Sequence, residues 1–234
     1  MAQAEAGIRA VTGEIDGDPQ RVGSPIGDVS AGMFAAMSIL AALRVRDRTG
    51  QGQYIDIALL ETTMSMLSNV ASNHLISGEE ATRYGNGHPN IVPYQAFRTS
   101  DGHVVVSCGN DRLYLALCRL LEREDLASDP RFATNPQRVR NRYELVPILQ
   151  EAFLARTTGQ WLPELRAAGI PCGPINSVAQ IFSDPHIQAR GYVWECDHPT
   201  AGKIKLAGSP IHLSETPTRL YKAPPLLGED DEKI

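Results

Sequence analysis

The chain has 234 residues, of which 42% are hydrophobic and 21% are charged, and these proportions exclude a mainly disordered protein. The formal net charge is −5 and the Lys and Arg residues are spread widely, which argues against a nucleic-acid partner. The four cysteines are scattered, with neither the spacing of metal ligands nor that of a disulfide framework. We therefore expect reduced thiols, no metal site and a cytoplasmic location.

The opening and the apolar stretches of the sequence give no sign of a membrane. No positively charged segment followed by an apolar one opens the chain, so we expect no secretion signal. The longest apolar run, residues 33–43, is far shorter than the roughly 20 residues that a membrane-spanning helix needs. We therefore expect no membrane partner.

The most informative stretch, residues 23–43, joins a glycine-rich loop to an apolar segment. Pro25 and Gly27 predict the loop, and Asp28 stands where a helix would begin, as one of the best N-cap residues. The positive end of the helix dipole stabilises a carboxylate there. The segment that follows is apolar almost all round, which predicts a buried helix. On these residues alone, a structural role for Asp28 is more common than a catalytic one.

Three more elements are predicted in the first third of the chain. Residues 3–11 favour a short helix, followed by a loop rich in turn formers. The helix that begins at Asp28 should end at Gly50, after a cluster of arginines that is typical of a helix C-terminus. Alternation with a period of two predicts a strand at residues 53–59, and apolar residues at helical spacing predict a helix over residues 61–76.

The loop at residues 84–90, Tyr-Gly-Asn-Gly-His-Pro-Asn, has neither helical nor strand periodicity. Its Asn-Gly pair is typical of a plain turn. The functional alternative is a mobile lid, because glycine N–H groups can approach a ligand closely and Gly87 can adopt a positive φ. Two β-type runs follow within residues 91–110, on either side of an Asp101-Gly102 turn, and they predict a hairpin.

The second half of the chain is predicted to be mainly helical, with two strands near its end. Helices are predicted at residues 110–121, 138–156 and 159–168, with short helical segments at residues 177–182 and 186–190. A rigid connector is predicted at residues 172–176, and strands at residues 192–197 and 203–207. The proline-rich sequence from residue 216 predicts an extended arm with a frayed acidic end.

Residues 27–61, GDVSAGMFAAMSILAALRVRDRTGQGQYIDIALLE, resemble the signature of the class III (CaiB/BaiF-type) CoA-transferases. This family includes formyl-CoA and carnitine CoA-transferases and the α-methylacyl-CoA racemases. The segments GNGHPNIVPYQAF, DPRFATNPQRVRNR, GIPCGPIN and PPLLG also resemble the family, in the right order, so the likeness runs from about residue 7 to residue 228. The version HPNIVPYQAF looks closest to members that move CoA between dicarboxylic acids such as succinate.

The resemblance implies an active site and a mechanism. The aspartate at the position of Asp28 is the family's catalytic carboxylate, which attacks the thioester and leads to an aspartyl-CoA intermediate. CoA is then a substrate, exchanged between an acyl-CoA and a carboxylic acid, and no permanently bound cofactor is expected. His88 could bind the carboxylate of the acid, although a loop histidine without a role is equally compatible. The resemblance implies that the substrate-binding residues are Gly85, Asn86, Gly87 and His88. It also implies that Leu59 contacts CoA.

The resemblance also implies an α/β protein with an incomplete class III fold. Family members begin with a large nucleotide-binding-type half that carries most contacts to CoA, and this sequence lacks that half. Since members form dimers of interlocked rings, we expect a homodimer or a partner that supplies the missing half. The implied domains are part of the large domain with the catalytic aspartate and the buried helix (1–65), a linker helix (66–79), a smaller α+β domain with an antiparallel hairpin (80–185), and a return segment with a C-terminal arm (186–234).

Two other functions stay open from the sequence. In the racemase branch a histidine and the aspartate exchange a proton at the carbon beside the thioester carbonyl. That histidine would lie upstream of this chain. The other alternative is an inactive fragment, or one part of a split enzyme.

Overall fold

A computed structural model describes residues 1–231, and these residues form two compact units. The first unit comprises residues 1–174 and the second begins at residue 175. Among the described residues, both sheets are antiparallel: one has three strands and the other has two. The implied domain boundaries at residues 65, 79 and 185 stay a prediction.

The regular elements in the first 80 residues are all helices. The structure has the helices α1 (Ala2–Glu5), α2 (Ile26–Thr49), α3 (Leu59–Ser65) and α4 (Asn69–Ser77), with a 3₁₀ turn at Arg9–Val11. Helix α2 begins one turn earlier than predicted: Pro25 is its N-cap residue and Asp28 lies within its first turn. The prediction of Asp28 as the N-cap residue is therefore wrong. The predicted stop at Gly50 is confirmed, since Gly50 adopts φ +74° and its N–H donates to the carbonyl of Arg46.

Helix α2 is mostly exposed, and the prediction of a buried helix is wrong for this chain. Only Gly27 and Ser30 are buried along its length, whereas Met33 is 59% exposed and Leu40 is 67% exposed. An apolar sequence favours burial, but burial needs a neighbouring element that covers each face. Within residues 1–174, α1 and α3 pack against α2.

Helix α2 is also long and apolar enough to cross a membrane. It contains an 18-residue window with a mean hydropathy of 1.7, of which 11% is buried. The expectation that no stretch reaches the required length is therefore wrong. A single helix of this kind is weak evidence for a membrane protein, because core helices of soluble proteins have the same length and composition. The absence of a membrane partner stays a prediction.

Two further elements near α2 differ from the prediction. Residues 51–58 form no regular structure, although their alternation predicted a strand, because no strand within residues 1–174 pairs with them. The single helix predicted over residues 61–76 is divided into α3 and α4. Ser68, at the division, has φ +51°, which interrupts a right-handed helix.

The predicted hairpin is confirmed. Strands β1 (Tyr94–Arg98) and β2 (His103–Ser107) pair in antiparallel register, with Ala96 opposite Val105. A third strand, β3 (Cys172–Pro174), pairs with β2 on its other side, so the predicted connector begins as a strand. Its residues lack the β-branched pattern that marks a strand in a sequence.

Five helices lie between β2 and β3 in the sequence: α5 (Asp111–Leu120), α6 (Glu124–Ser128), α7 (Asn135–Arg140), α8 (Arg142–Phe153) and α9 (Thr158–Ala167). The predicted cap of α5 is confirmed, since the side chain of Asn110 accepts the N–H of Leu113 at 3.0 Å. The helix predicted over residues 138–156 is two helices, because the chain leaves helical geometry at Asn141.

The core of the first unit lies between the three-stranded sheet and helices α5, α8 and α9. The rings of Phe97 and Phe153 stack with centroids 4.7 Å apart, and Trp161 meets Phe153 edge-on at 5.2 Å. The side chain of Gln150 in α8 bonds both backbone groups of Arg98, at 2.8 and 2.9 Å. These two bonds satisfy part of the edge of β1 and fix α8 along it.

The second unit contains two short helices and a hairpin. Its elements are α10 (Val178–Ser183), α11 (Pro185–Ala189), β4 (Val193–His198) and β5 (Gly202–Ala207). All four were predicted, with boundaries within two residues. Residues 208–230 contain no regular helix or strand, and the extended arm stays a prediction. The acidic end of that arm lies partly outside the described residues.

Candidate functional site

Asp28 lies in the first turn of α2 and is exposed to solvent. The free N–H groups of this turn and the helix dipole stabilise negative charge there. Gly27, directly before it, is buried against α3: a Cβ at Gly27 would lie 2.8 Å from Oγ1 of Thr63 and 3.7 Å from Cδ2 of Leu59. The lack of a side chain at residue 27 therefore lets α2 approach α3 closely. Leu59, the implied CoA contact, lies beside this crossing and is 47% exposed.

Residues 84–89, called the glycine loop below, form a closely bonded turn. The N–H of Gly85 donates to the carbonyl of Gly13 at 3.0 Å, that of Gly87 to Tyr84 at 2.8 Å, and that of His88 to Tyr94 at 2.9 Å. Three of the four predicted substrate-binding residues thus use their backbone N–H groups within the chain. Among the described residues, the N–H of Asn86 is the one of these four without a hydrogen-bond partner. The N–H of Asn86 can therefore donate to a ligand without breaking an existing hydrogen bond.

The side chains of the glycine loop also bind the neighbouring hairpin. Oδ1 of Asn86 accepts the N–H of Ala96 at 2.7 Å, which ties the loop to β1. The ring of His88 stacks on Tyr94, with centroids 5.3 Å apart and planes 2° from parallel. These contacts fix the loop in this conformation, and its predicted mobility stays a prediction.

His88 has a defined hydrogen-bond pattern. Its Nδ1 accepts the N–H of Asn90 at 3.1 Å, so in the neutral ring the proton is on Nε2. Burial, and secondarily the positive charge of Arg142, lower the pKa of His88 below its ordinary value of 6.5. His88 is therefore mainly neutral at pH 7 and offers a ligand one N–H donor rather than a positive charge.

Two cavities flank the glycine loop. One, of about 490 Å³, is lined by Gly85, Gly87 and residues of α4, including His74. The other, of about 210 Å³, is lined by Gly85, Asn86 and Gly87 together with Glu14 and Arg142. Asp28 lines neither cavity. Residues 1–174 therefore bring the predicted loop residues together, but they do not place them and Asp28 around one cavity.

Two arginines near the loop were not singled out as site residues from the sequence. Arg83 donates to the carbonyls of Ala10, Glu14 and Gly17, at 3.3, 3.1 and 2.7 Å. It therefore holds the N-terminal loop around Gly13, whose carbonyl accepts the N–H of Gly85. Arg142 donates to two carbonyls of the glycine loop. Its only sequence signal is its place in the segment DPRFATNPQRVRNR, since a contact to carbonyls 53 and 54 residues away has no local pattern.

Acidic, histidine and cysteine side chains do not converge on a metal position in the described part of the chain. Within residues 1–231, no group of three or more such side chains is placed to hold a metal ion. Cys108 and Cys118 are free and buried, and Cys172 and Cys196 are free and partly buried. The described side chains therefore provide hydrogen-bonding groups and carboxylates, without a preformed metal site.

The two loop glycines differ in a way that the sequence did not show. Gly85 has φ +60°, whereas Gly87 is not among the residues with positive φ, so the predicted positive φ at Gly87 is wrong. A Cβ at Gly87 would instead lie 3.0 Å from the carbonyl oxygen of Tyr84, and one at Gly85 would lie 3.0 Å from Oε2 of Glu14. A side chain at residue 85 would therefore be disfavoured mainly by the positive φ of the backbone. A side chain at residue 87 would be disfavoured by a close contact with the carbonyl of Tyr84.

Replacement of Gly85 by Ala should lower the free energy of unfolding by about 1–2 kcal/mol, the cost of a left-handed conformation for a residue with a Cβ. Gly159→Ala is the matched control, because Gly159 lies in helix α9 and its Cβ would have no neighbour closer than 4.0 Å. That control should be neutral or slightly stabilising. Urea unfolding followed by circular dichroism measures both variants. Equal stability of Gly85→Ala and the wild type would contradict the assigned conformation.

Known proteins match this chain along its whole length. The model of CoA-transferase family III matches residues 1–231. Succinyl-CoA:glutarate CoA-transferase of Mus musculus is 42% identical over 234 residues, covering all of this chain and 54% of the relative. Succinate–glutarate CoA-transferase of Agrobacterium fabrum is 36% identical, covering all of this chain and 58% of the relative. The chain thus spans little more than half the length of these relatives.

The solved structures lead to the same family. The crystal structure of a CaiB/BaiF family protein from Brucella suis superposes with a TM-score of 0.80 at 40% identity, covering all of this chain and 60% of the other. The fold predicted from the sequence, an incomplete class III CoA-transferase fold, is thereby confirmed. On both the sequence and the structural match, the chain belongs to CoA-transferase family III.

Proposed function

We propose that the protein transfers CoA from an acyl-CoA thioester to a free carboxylic acid, with dicarboxylic acids such as succinate and glutarate as substrates. The observation that carries the proposal is the match along the whole chain to relatives named succinyl-CoA:glutarate and succinate–glutarate CoA-transferases, at 42% and 36% identity. A transferase of this kind is reversible with little net energy change, because one thioester replaces another. A nucleophilic carboxylate is sufficient for the chemistry.

We assign the nucleophile to Asp28. Its carboxylate attacks the thioester carbonyl of the donor, which forms a mixed anhydride and expels the CoA thiolate. The thiolate attacks the aspartyl carbonyl of the anhydride, giving an aspartyl-CoA thioester and the free donor acid. The carboxylate of the acceptor acid then attacks this thioester, forming a second anhydride and releasing the thiolate again. Attack of the thiolate on the acceptor's carbonyl produces the new acyl-CoA and regenerates Asp28.

The exposed position of Asp28 in the first turn of α2 suits this role. The carboxylate is accessible, and its charge is favoured by the N-terminal end of the helix. Each attack on a carbonyl develops negative charge on oxygen, which a fixed N–H donor stabilises. In the glycine loop, the N–H of Asn86 is the donor that is free for this purpose, and Nε2–H of neutral His88 is suited to a carboxylate of the acid.

The loop and Asp28 must meet around one substrate for this mechanism. In the relatives, slightly less than half of the length lies outside the match with this chain. We place that remaining segment, or a partner that supplies it, against the exposed apolar face of α2 that carries Met33, Met37 and Leu40. CoA binding, a homodimeric state and a cytoplasmic location belong to the same proposal.

Incubation with a panel of acyl-CoAs and free acids, followed by mass spectrometry of the CoA esters, tests the function. We expect succinyl groups to be lost and glutaryl-CoA to form from succinyl-CoA and glutarate. The same samples in D₂O separate the racemase branch, because proton exchange would add deuterium beside the thioester carbonyl without acyl exchange. Deuterium uptake without transfer would overturn the proposal. The intact mass of the native preparation shows whether a second chain co-purifies.

The lowered pKa of His88 has a consequence for acid stability. The folded-state pKa lies below the unfolded value of 6.5, so the unfolded chain takes up a proton at a higher pH than the folded one. The stabilisation by neutral His88 is complete above pH 6.5 and is lost as the pH falls through the folded pKa. His88→Asn should remove this acid sensitivity while it retains an acceptor for the N–H of Asn90.

An NMR titration of the His88 ring measures its pKa directly. We expect a midpoint below 6.5 in the wild type. The midpoint should rise in Arg142→Met, because the positive charge beside the ring is removed. A wild-type midpoint at or above 6.5 would contradict the neutral donor assigned to His88.

A further inference from the structure

Arg142, the first residue of α8, contacts the glycine loop at both of its ends. Nη1 donates to the carbonyl of His88 at 3.2 Å, and Nη2 donates to the carbonyl of Pro89. The guanidinium carbon lies 4.4 Å from the centroid of the Tyr84 ring. Nε donates to the carbonyl of Val139 at 3.2 Å, within the preceding turn. One planar side chain thus joins the first residue of the loop to its last two.

The surroundings of this guanidinium are unusual for a charged group. Arg142 is 8% exposed and, among the described residues, has no carboxylate partner. Arg131 shows the ordinary alternative: its side chain is 56% exposed and pairs with Asp129 and Glu144. A buried charge is unfavourable unless dipoles or opposite charges compensate it. For Arg142 the compensation comes from loop carbonyls and an aromatic face, so the loop conformation and the position of the charge stabilise each other.

These contacts depend on the shape of the guanidinium group. Its plane presents several N–H donors in a fixed fork and stacks on an aromatic ring, whereas the ammonium of Lys is a point charge on a flexible chain. Lys at residue 142 could bond one carbonyl but could not hold His88, Pro89 and the Tyr84 ring together. The arrangement therefore selects arginine.

We infer that Arg142 is a positioning residue, which holds the glycine loop in the shape that presents the N–H of Asn86 and the ring of His88 to the acyl group. This role rests on the proposed function, because it presumes that the loop covers the reacting carbonyl. Arg142 acts through the loop and does not touch the substrate, since its hydrogen bonds go to backbone carbonyls.

The loop can be tested without any substrate. In Arg142→Met, NMR hydrogen exchange of the Gly85, Gly87 and His88 amides should accelerate by about tenfold or more, because hydrogen bonds to a charged group are lost. Exchange of the Val104 and Val106 amides in β2 should be unchanged. Acceleration at the loop and in β2 by the same factor, or no acceleration at the loop, would overturn the inference.

Arg156→Met is the matched control. Arg156 also lies over an aromatic ring, 4.7 Å from the centroid of Trp161, and pairs with Glu164, but it has no contact with the glycine loop. Its replacement should leave exchange of the loop amides at the wild-type rate. Faster loop exchange in this control would overturn the specific role of Arg142.

Transfer kinetics test the positioning role itself. In a preparation that exchanges CoA, Arg142→Lys should lower kcat by about tenfold or more while KM for the acyl-CoA changes little, because the orientation of the loop is lost but the charge is kept. An unchanged kcat would overturn the inference even if loop exchange accelerates. Absence of transfer in the wild type with every ester would overturn the proposed function instead, and the amide exchange would still decide whether Arg142 holds the loop.

Discussion

Replacement of Asp28 by Ala should abolish CoA transfer and leave the fold intact. In the proposed mechanism the carboxylate of Asp28 is the attacking group in the first step, and the alanine side chain has no oxygen that could form the anhydride. The structural cost is small, because Asp28 is exposed and makes no cap hydrogen bond. The variant loses only a charge near a helix N-terminus, which changes the free energy of unfolding by roughly 0.3–1 kcal/mol.

The measurement is acyl exchange, followed by mass spectrometry of the CoA esters, beside urea unfolding of the same sample. Asp28→Asn should be as inactive as the alanine variant, since an amide is a poor nucleophile. Asp16→Asn is the matched control, because Asp16 is an exposed aspartate in a turn outside the proposed site. Substantial transfer by Asp28→Ala would refute the assignment of the nucleophile.

Among the variants proposed for this protein, Arg138→Met should cause the largest loss of stability. Arg138 is fully buried in α7, where Nε donates to the carbonyl of Val92 at 2.7 Å and Nη1 to that of Phe132 at 2.9 Å. Nη2 bonds Asp111 at 2.8 Å, and the guanidinium carbon lies 4.3 Å from the centroid of the Tyr114 ring. Methionine fills part of the space but leaves two buried carbonyls without a donor, at about 1–3 kcal/mol each.

The free energy of unfolding should therefore fall by roughly 2–6 kcal/mol, measured with urea and circular dichroism. Asp111→Asn is a milder comparison, since the side chain of Asp111 is 50% exposed and the amide oxygen of asparagine can still accept the hydrogen bond from Nη2 of Arg138. A loss below 1 kcal/mol in Arg138→Met would show that other groups satisfy these carbonyls.

Short sequence patterns correctly predicted the elements that are stabilised by contacts between residues close together in the chain. The Asp101-Gly102 turn identified the hairpin, and Asn110 identified the start of α5 through its own side-chain bond. Signals that depend on a distant partner failed. Residues 51–58 alternate like a strand but have no strand to pair with in residues 1–174, and α2 has the composition of a core helix but few neighbours within that unit.

The same distinction applies to the site. The sequence pointed to Asp28 and to the glycine loop through family motifs, because those residue types recur in a fixed order. It could not show that the N–H groups of Gly85, Gly87 and His88 are used within the chain, since their acceptors include Gly13, about 70 residues away. Nor could it show that Arg142 bonds loop carbonyls rather than a carboxylate. Both facts depend on tertiary packing.

The covalent intermediate on Asp28 tests the proposed mechanism most directly. A preparation that exchanges CoA is mixed with succinyl-CoA alone, denatured in acid and digested, and the peptide that contains Asp28 is analysed by mass spectrometry. We predict that this peptide gains the mass of CoA less one water, and that addition of glutarate before denaturation removes the adduct and yields glutaryl-CoA. Exchange that proceeds without any adduct, or with the adduct on another residue, would contradict the assignment of Asp28 as the nucleophile.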